Sequence, residues 1–346
     1  MHRTPTRIAA CTLLLATTLS SHAAGDIAVT ITPERAALGK RDEVLVTVTL
    51  TNTGGTLERL LTWRTPFVAP QAALFDITRD GQPVRYLGRK VKRAAPVEAD
   101  HIRLAPGESR SAHVELSSTY DMAVTGAYSV RYRVPALPSV ARTDNGNTMR
   151  SNTASIWIEG RLPRGVAAPA LAAPTGSGLS YAQCSNAQQE TIAGAMAAGS
   201  GMAAGGLAYL TSGKEQAQRY INWFGALDGA RQGVVTKNFA AIKDAFESKP
   251  VKVDCGCDED YFAHVYPAQP YTIYVCKAFW TAALTGTDSM GGTLLHELSH
   301  FDIVAGTDDH VYGQSGAADM ARTAPQRAVN NADSHEYFGE NSPPLN

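Results

Sequence analysis

In the first part of the chain, apolar and polar residues alternate with the two-residue period of a β-strand. Residues 27–31 follow this pattern, and residues 44–50 repeat it before a turn-forming Thr-Asn-Thr-Gly-Gly run. Further strand candidates follow at 73–78, 83–87, 111–116, 127–134 and 153–158. Short strands at this spacing predict an all-β, immunoglobulin-like sandwich over residues 24–160.

The pattern changes to helical spacing in the last part of the chain, which predicts a mainly α (α+β) domain over residues 179–346. The predicted helices cover residues 186–209, 216–224, 234–246, 290–304 and 324–338. Two short β runs are also expected, Val251–Val253 and Tyr271–Phe279. The second run alternates and is a candidate for pairing with an extended peptide.

An Ala-, Pro- and Gly-rich segment, residues 161–178, separates the two predicted domains. Such a composition is typical of a linker, and exposed linkers are preferred sites of proteolysis.

The first 23 residues have the features of a secretory signal peptide. Arg3 and Arg7 precede an apolar run over residues 8–19, and Ser21-His22-Ala23 has the small-x-small pattern of a cleavage site. The apolar run is too short to span a bilayer. We therefore expect a secreted, extracellular protein, which in a Gram-negative cell passes through the periplasm.

Four cysteines remain after removal of the signal peptide: Cys184, Cys255, Cys257 and Cys276. An even number in an exported chain predicts two disulfides. A bond between Cys255 and Cys257 would be strained, so two pairings remain, and Cys184–Cys255 with Cys257–Cys276 is one of them. The Cys-x-Cys segment also raises the possibility of a zinc knuckle, but the usual two-residue spacing is missing.

The chain has 346 residues and a net charge of −1, which conceals two oppositely charged parts. Residues 174–346 carry 10 Lys+Arg and 18 Asp+Glu, a balance of −8, whereas residues 1–173 carry 21 and 14, a balance of +7. The low net charge argues against a nucleic-acid or membrane partner. We expect a monomer.

The predicted helix over residues 290–304 contains His296-Glu297-Leu298-Ser299-His300. Two histidines four positions apart share one helix face, so both imidazoles can bind one metal ion. Glu297 is then placed to act as a general base on a water at that ion.

A catalytic zinc of this type needs a third protein ligand. Glu336, on a later helix, is one candidate. The loop after the motif offers another, because Gly306 lets the chain turn back toward the helix and brings Asp308 or Asp309 within reach. Spacing alone does not separate these two aspartates.

The motif His296-Glu297-x-x-His300, followed by Gly306-Thr307-x-Asp309-x-x-Tyr312-Gly313, resembles the signature of the aspzincin (deuterolysin-type) metallopeptidases. The resemblance covers about residues 179–346 and implies a zincin-type domain with one Zn²⁺ per chain. Its zinc ligands would be His296, His300 and Asp309. It also implies that Glu297 is the general base and acid and that Tyr312 donates a hydrogen bond to the oxyanion. We expect Asp308 and His310 to be solvated loop residues.

The peptidyl-Lys branch of this family adds further expectations. Its two disulfides join the first cysteine to the second and the third to the fourth, which here are Cys184–Cys255 and Cys257–Cys276. Its acidic pair on the last helix, which binds the lysine that follows the cleaved bond, corresponds to Asp333 and Glu336. These two residues are three positions apart and so share one helix face.

The first domain is interpreted as a propeptide, because bacterial relatives carry an N-terminal prosegment of similar length. Its basic segment, residues 89–93, could block the acidic pocket as a substrate would, with Lys92 as the first candidate plug and Lys90 as the second. The linker contains arginines but no lysine, so a strict lysine-specific enzyme could not cut it.

Two functions of different classes follow. The first is a secreted zinc endopeptidase, made as an inactive precursor, that cleaves proteins and peptides on the N-terminal side of lysine. The second is an exported binding or adhesion protein that joins an immunoglobulin-like module to a structural metal domain. Glu297 and Tyr312 favour the enzyme, because a structural zinc is normally closed by four protein ligands.

Overall fold

A computed structural model of the chain describes residues 27–134, 149–163, 174–214 and 217–345. The predicted signal peptide and residues 164–173 of the predicted linker lie outside this part. The described residues form a mixed α/β structure with many strands. None of their helices combines the length and the apolar character needed to cross a membrane.

The first part of the chain is built from strands. In chain order these are β1 (Ile27–Pro33), β2 (Ala37–Leu38), β3 (Leu45–Asn52), β4 (Glu58–Leu61), β5 (Phe75–Arg79), β6 (Gln82–Pro83), β7 (Lys90–Lys92), β8 (His101–Leu104), β9 (Ser109–Glu115), β10 (Gly126–Val134), β11 (Met149–Arg150) and β12 (Ala154–Ile158).

Two sheets of this part share one apolar core. One has the order β1-β3-β9, and the other has the order β2-β12-β10-β5-β6, with β11 beside β10. Alternate residues of β3 and β10, such as Val46, Val48, Tyr128 and Tyr132, are fully or almost fully buried in that core. The period-2 pattern of the sequence therefore locates the buried faces of the main strands.

The second part contains β13 (Gly178–Ala182), α1 (Asn186–Leu210), α2 (Gln218–Phe224), α3 (Gly229–Ser248), β14 (Pro250–Asp254), β15 (Ala263–Val265), β16 (Thr272–Val275), α4 (Met290–His300), α5 (Gln314–Thr323), α6 (Pro325–Ala328) and α7 (Ala332–Glu340). Its sheet has the order β13-β14-β16-β15-β7. The last strand, β7, comes from the first part of the chain and pairs antiparallel with β15. The centre of the basic segment, Lys90–Lys92, is therefore a strand.

This topology corrects the strand expected at Tyr271–Phe279. The strand covers Thr272–Val275 alone and lies inside the sheet, between β14 and β15. Because both of its edges are already paired, it cannot bind an added peptide. The edge that accepts a strand belongs to β15, a segment of three residues that is too short to show a clear period.

Helix α4 lies at the centre of the second part, and all of its residues are buried. The Ser289 hydroxyl caps it by accepting a hydrogen bond from the Gly292 N–H. Helix α4 packs against α1 where Gly199 meets Gly291, so closely that a Cβ on Gly199 would lie 2.8 Å from the Gly291 carbonyl oxygen. This close crossing fixes the position of the helix that carries both histidines.

Several helix boundaries differ from the sequence prediction. Helix α4 ends at His300 rather than Val304, and the last helix is divided into α6 and α7 by an interruption at residues 329–331. The Asn331 side chain accepts backbone hydrogen bonds from His310 and Val311, which ties this interruption to the loop that follows α4.

The structure joins Cys184 to Cys255 and Cys257 to Cys276, the pairs that the resemblance implies. At the predicted linker, Leu162 still pairs with Val124 of the first part, and Gly178 already begins β13.

Candidate metal centre and its cleft

Three side chains converge at the end of α4. The Nε2 atoms of His296 and His300 lie 3.1 Å apart. The Asp309 Oδ1 atom lies 3.1 Å from the first nitrogen and 3.3 Å from the second. The loop after α4 turns back at Gly306, whose φ of +61° suits glycine, and this turn brings Asp309 to the helix.

These three atoms fit a zinc ion. Tetrahedral ligands at about 2.0–2.1 Å from the metal are separated from one another by about 3.3–3.4 Å, close to the distances found here. Asp309 Oδ1 is buried, and no hydrogen bond is aligned to it among the described residues. A buried carboxylate oxygen in this position is well suited to a cation.

The outer ring nitrogens fix the orientation of both histidines. His300 Nδ1 lies 2.8 Å from the Thr307 carbonyl oxygen, so it donates its proton there and leaves Nε2 free to bind a metal. His296 Nδ1 lies 3.1 Å from Glu336 Oε2 and 3.1 Å from Asp333 Oδ1. Glu336 thus contacts the ring edge opposite Asp309, which places it outside the group of three converging ligands.

The electrostatics of the site separate its carboxylates. Burial alone would raise the pKa of Asp309, but His300 and His296 outweigh it and hold that pKa well below its usual value. Burial raises the pKa of Glu297 well above its usual value. Burial also raises the pKa of Tyr312, which keeps its hydroxyl protonated and able to donate.

Strand β7 lies across these groups with the Val91–Lys92 peptide bond at the centre. The Tyr312 hydroxyl donates to the Val91 carbonyl oxygen at 2.8 Å. The Lys92 N–H donates to Glu297 Oε1 at 3.3 Å, and the Val91 N–H donates to Asp309 Oδ2 at 3.1 Å. The Val91–Lys92 peptide bond therefore contacts the candidate oxyanion donor and the candidate base, and the N–H of the preceding peptide bond contacts a candidate metal ligand.

The Lys92 side chain enters a closed acidic pocket. Its Nζ lies 2.8 Å from Asp288 Oδ1, 3.1 Å from Asp333 Oδ1 and 2.8 Å from Glu336 Oε2. Lys92, Asp333 and Glu336 are completely buried. Burial opposes the charge of Lys92, but these carboxylates outweigh it and raise its pKa well above the usual value.

The two pocket carboxylates on α7 differ in pKa. Burial raises the pKa of Glu336. For Asp333, the positive charge of Lys92 outweighs burial and lowers the pKa. Asp333 also accepts a hydrogen bond from the Gly313 N–H at 2.7 Å, which favours its charged form.

The other sides of β7 are also contacted by the second part of the chain. Val91 packs against Tyr261 and the Cys257–Cys276 disulfide. Lys90 Nζ lies 2.6 Å from Asp308 Oδ1, so Asp308 is half of an ion pair rather than a purely solvated loop residue.

Comparison with known proteins shows the family to which the chain belongs. The profile of a family described as "Lysine-specific metallo-endopeptidase" matches residues 209–340. An extracellular protease of Aeromonas hydrophila is 46% identical over 315 residues, covering 89% of this chain and 91% of the relative. The chain belongs to the aspzincin family of metalloendopeptidases.

Two further known proteins are also similar to this chain. A peptidyl-Lys metalloendopeptidase of Armillaria mellea is 36% identical, over 86% of this chain and 87% of its own length. The solved structure of a zinc peptidase from Grifola frondosa is 41% identical, with a TM-score of 0.46, and the match covers 47% of this chain and 100% of that one. Membership in a peptidase family favours the enzyme over the binding or adhesion protein.

Some residues of this aspzincin cleft were not predicted from the sequence. Asp288 contacts Lys92 and accepts a hydrogen bond from the Tyr337 hydroxyl at 2.8 Å. It sits in an ordinary Gly-Thr-Asp-Ser turn, which carries no signal of a binding site. Tyr261 and strand β15 also line the cleft without a motif of their own.

Proposed function

We propose that this aspzincin is a secreted zinc endopeptidase that cleaves on the N-terminal side of lysine and is made as an inactive precursor. The observation that carries the proposal is the position of the Val91–Lys92 bond. Its carbonyl contacts Tyr312, its N–H contacts Glu297, and the lysine that follows it occupies an acidic pocket. This is the arrangement expected of a substrate bond with lysine on its C-terminal side.

His296, His300 and Asp309 would hold one zinc ion per chain. A zinc ion held there would supply a water of lowered pKa and would polarise the scissile carbonyl. Glu297 accepts a proton from the attacking water at its carboxylate. Because the Lys92 N–H already lies 3.3 Å from Glu297 Oε1, the same carboxylate can deliver that proton to the leaving amine.

Tyr312 stabilises the carbonyl oxygen as its negative charge grows. Its hydroxyl is buried and is aimed at the Val91 oxygen, so its donation needs little reorganisation. One such donor is worth about 3–4 kcal/mol in the transition state. As the C–N bond breaks, the carbonyl carbon gains the hydroxyl of water and the amine nitrogen gains a proton.

Asp288, Asp333 and Glu336 would select lysine. Three carboxylates around one buried Nζ satisfy an ammonium with its three donors. The longer arginine side chain has a planar, forked head group that does not match this compact arrangement. A neutral side chain would leave buried carboxylates without a partner, which is costly.

We further propose that residues 24–160 are an immunoglobulin-like propeptide and that Lys92 blocks the lysine pocket until the chain is cut within the linker. The support is the buried Lys92 ion cluster and the insertion of β7 into the sheet of the second part. The opposite charges of the two parts favour their association. A predicted signal peptide at residues 1–23 supports secretion.

The test is mass spectrometry of peptides released from a protein mixture by the activated enzyme. Cleavage before lysine is expected, and it should stop when a chelator removes zinc. Zinc added back should restore it. Cleavage without preference for lysine would contradict the substrate assignment, and full activity in the chelator would contradict the metal mechanism.

A further inference from the structure

Asp308 lies next to the metal ligand Asp309, but its side chain faces a different group. Its carboxylate is paired with Lys90, the residue two positions before Lys92. Lys90 Nζ also donates to the Thr307 carbonyl oxygen at 2.6 Å. One ammonium group is therefore held by a carboxylate and a carbonyl, both from the second part of the chain.

The position of Lys90 corresponds to a defined substrate position if the Val91–Lys92 bond mimics the bond that is cleaved. Lys92 is then P1′, the first residue after the cut, and Val91 and Lys90 are P1 and P2 before it. Side chains two positions apart in a strand point to the same face. Lys90 and Lys92 accordingly lie on one face of β7, and each contacts an acidic group.

The backbone around Asp308 is fixed without any help from β7. The Asp308 N–H donates to the Asn330 carbonyl oxygen at 2.7 Å, and its own carbonyl oxygen accepts from the Ala332 N–H at 3.0 Å. The Thr307 carbonyl oxygen is also bonded to His300 Nδ1. The Thr307 carbonyl oxygen and the backbone that carries the Asp308 carboxylate are thus held by hydrogen bonds within the second part of the chain.

Lys90 is more buried than Asp308, as expected if Lys90 takes the place of a ligand and Asp308 belongs to the rim of its binding site. The Lys90 side chain is 13% exposed and that of Asp308 is 48% exposed. When β7 leaves, the Asp308 carboxylate remains at the rim of the cleft with its partner removed. A basic side chain of a substrate can then take the place of Lys90.

We propose that Asp308, together with the Thr307 carbonyl oxygen, is a P2 subsite that selects lysine or arginine two positions before the P1′ lysine. The inference rests on the proposed function and extends it from one recognised residue to two. The preferred sequence is a basic residue, any residue that fits the P1 position, and then lysine.

The test compares four peptides that differ at P2 alone, with Lys, Arg, Ala or Glu, and that all carry Lys at P1′. The enzyme is obtained by cutting the full chain in its linker, and mass spectrometry separates the P1′ cut from any cut before a P2 lysine. We expect kcat/KM to be about threefold to tenfold higher for the basic peptides than for Ala, as suits a partly exposed ion pair, and lowest for Glu.

The Asp308→Asn enzyme should lose most of this preference, so that the Lys-to-Ala ratio approaches one. Asp302→Asn is the matched control, because Asp302 is also an exposed carboxylate that approaches an arginine of the first part, Arg85, at 3.9 Å. Its ratio should stay that of the native enzyme. Zinc content, measured for each variant, verifies that the neighbouring ligand Asp309 is intact.

Equal cleavage of the four peptides by the native enzyme would overturn the subsite, whatever the variants do. A preference that survives in Asp308→Asn would overturn it as well. Failure of the proposed function has a different signature, which is the absence of cleavage before lysine in all four peptides, and it would remove the subsite too.

Discussion

The two carboxylate oxygens of Glu297 have different surroundings. Oε1 accepts the Lys92 N–H, whereas Oε2 is buried and has no hydrogen-bond partner among the described residues. A buried oxygen without a hydrogen-bond partner lowers the stability of the folded chain, so its presence calls for a functional explanation. An oxygen directed at a water that attacks the peptide carbonyl would account for it.

Replacing Glu297 by Gln keeps the shape of the side chain and removes the base. We expect kcat to fall by about 10²–10⁴-fold, with the zinc content unchanged, because general acid–base catalysis typically contributes this much. Metal analysis and peptide assays measure the two effects separately. Glu247→Gln, an exposed substitution on α3, is the control. Normal activity of Glu297→Gln would contradict the assignment.

His335 makes the stability of the second part depend on pH. It is fully buried, its Nδ1 lies 3.0 Å from the Asn331 carbonyl oxygen, and burial lowers its pKa to about 4. Below about pH 6.5, His335 binds a proton in the unfolded chain, but in the folded chain its lowered pKa keeps it neutral. The contribution of neutral His335 to the free energy of unfolding is therefore fully present above about pH 6.5. It is lost as the pH falls toward 4, by at most about 1.4 kcal/mol per pH unit.

The melting temperature should accordingly fall between pH 7 and pH 5, and less steeply in His335→Gln than in the native chain. His113→Gln, at an exposed position, should retain the native slope. Equal slopes for all three proteins would show that His335 does not govern this dependence. His264, whose pKa burial also lowers to about 4, would supply a remaining slope in His335→Gln.

At the scale of the elements, the crossing of α1 and α4 determines where the ligands stand. A Cβ on Gly199 would lie 2.6 Å from the Phe246 ring and 2.8 Å from a backbone oxygen of α4. At Gly201, on the same helix, such a Cβ would have no atom within 4 Å apart from the nearby backbone of its own helix. The same substitution at these two positions therefore has opposite expected effects.

Gly199→Ala should destabilise the protein by about 1–3 kcal/mol through overpacking. Gly201→Ala should stabilise it by up to about 1 kcal/mol, because alanine has the higher helix propensity. Melting temperatures of the two variants give the comparison. A loss of the same size at both positions would mean that the helix crossing does not cause it.

The elements predictable from the sequence are those with a long period or a distinct motif. Strands β3 and β10 alternate over seven or more residues, and α4 carries both a serine cap and the two histidines. Strands β7 and β15 have three residues each, and β7 joins the sheet by pairing with β15 across the two parts of the chain. No local pattern encodes such a long-range pairing.

The residues of the candidate site also differ in whether the sequence predicts them. The spacing of His296 and His300 predicts a shared metal directly, and the family signature adds Asp309 and Tyr312. Asp288 enters the pocket from a turn before α4. Its role depends on how α4 and α7 pack together, because α7 carries the other two carboxylates. The spacing of residues in a motif does not predict this packing.

At the scale of the whole molecule, Lys92 links the two parts through ion pairs, of which those with Asp333 and Glu336 are completely buried. Lys92→Met retains most of the aliphatic stem and removes the ammonium group, which leaves three carboxylates facing an uncharged side chain. Because an unpaired buried charge costs about 3–5 kcal/mol, the first part should bind the cleft less tightly. The uncut Lys92→Met precursor should therefore hydrolyse a small lysine peptide measurably.

The native precursor and Lys40→Met, a substitution at an exposed lysine, should remain inactive in the same assay. An inactive Lys92→Met precursor that folds and binds zinc would show that other contacts of β7 suffice for the block.

Because β7 is the fifth strand of the sheet in the second part of the chain, dilution should affect activation. While the predicted linker is uncut, the strand would compete for the cleft at the high effective concentration of a tethered ligand, about the millimolar range. Cutting the linker breaks no contact in the cleft and ends only the tether. The cut complex should therefore stay blocked in a concentrated, confined compartment and gain activity after release into a large volume, so that its activity per molecule rises as the protein is diluted.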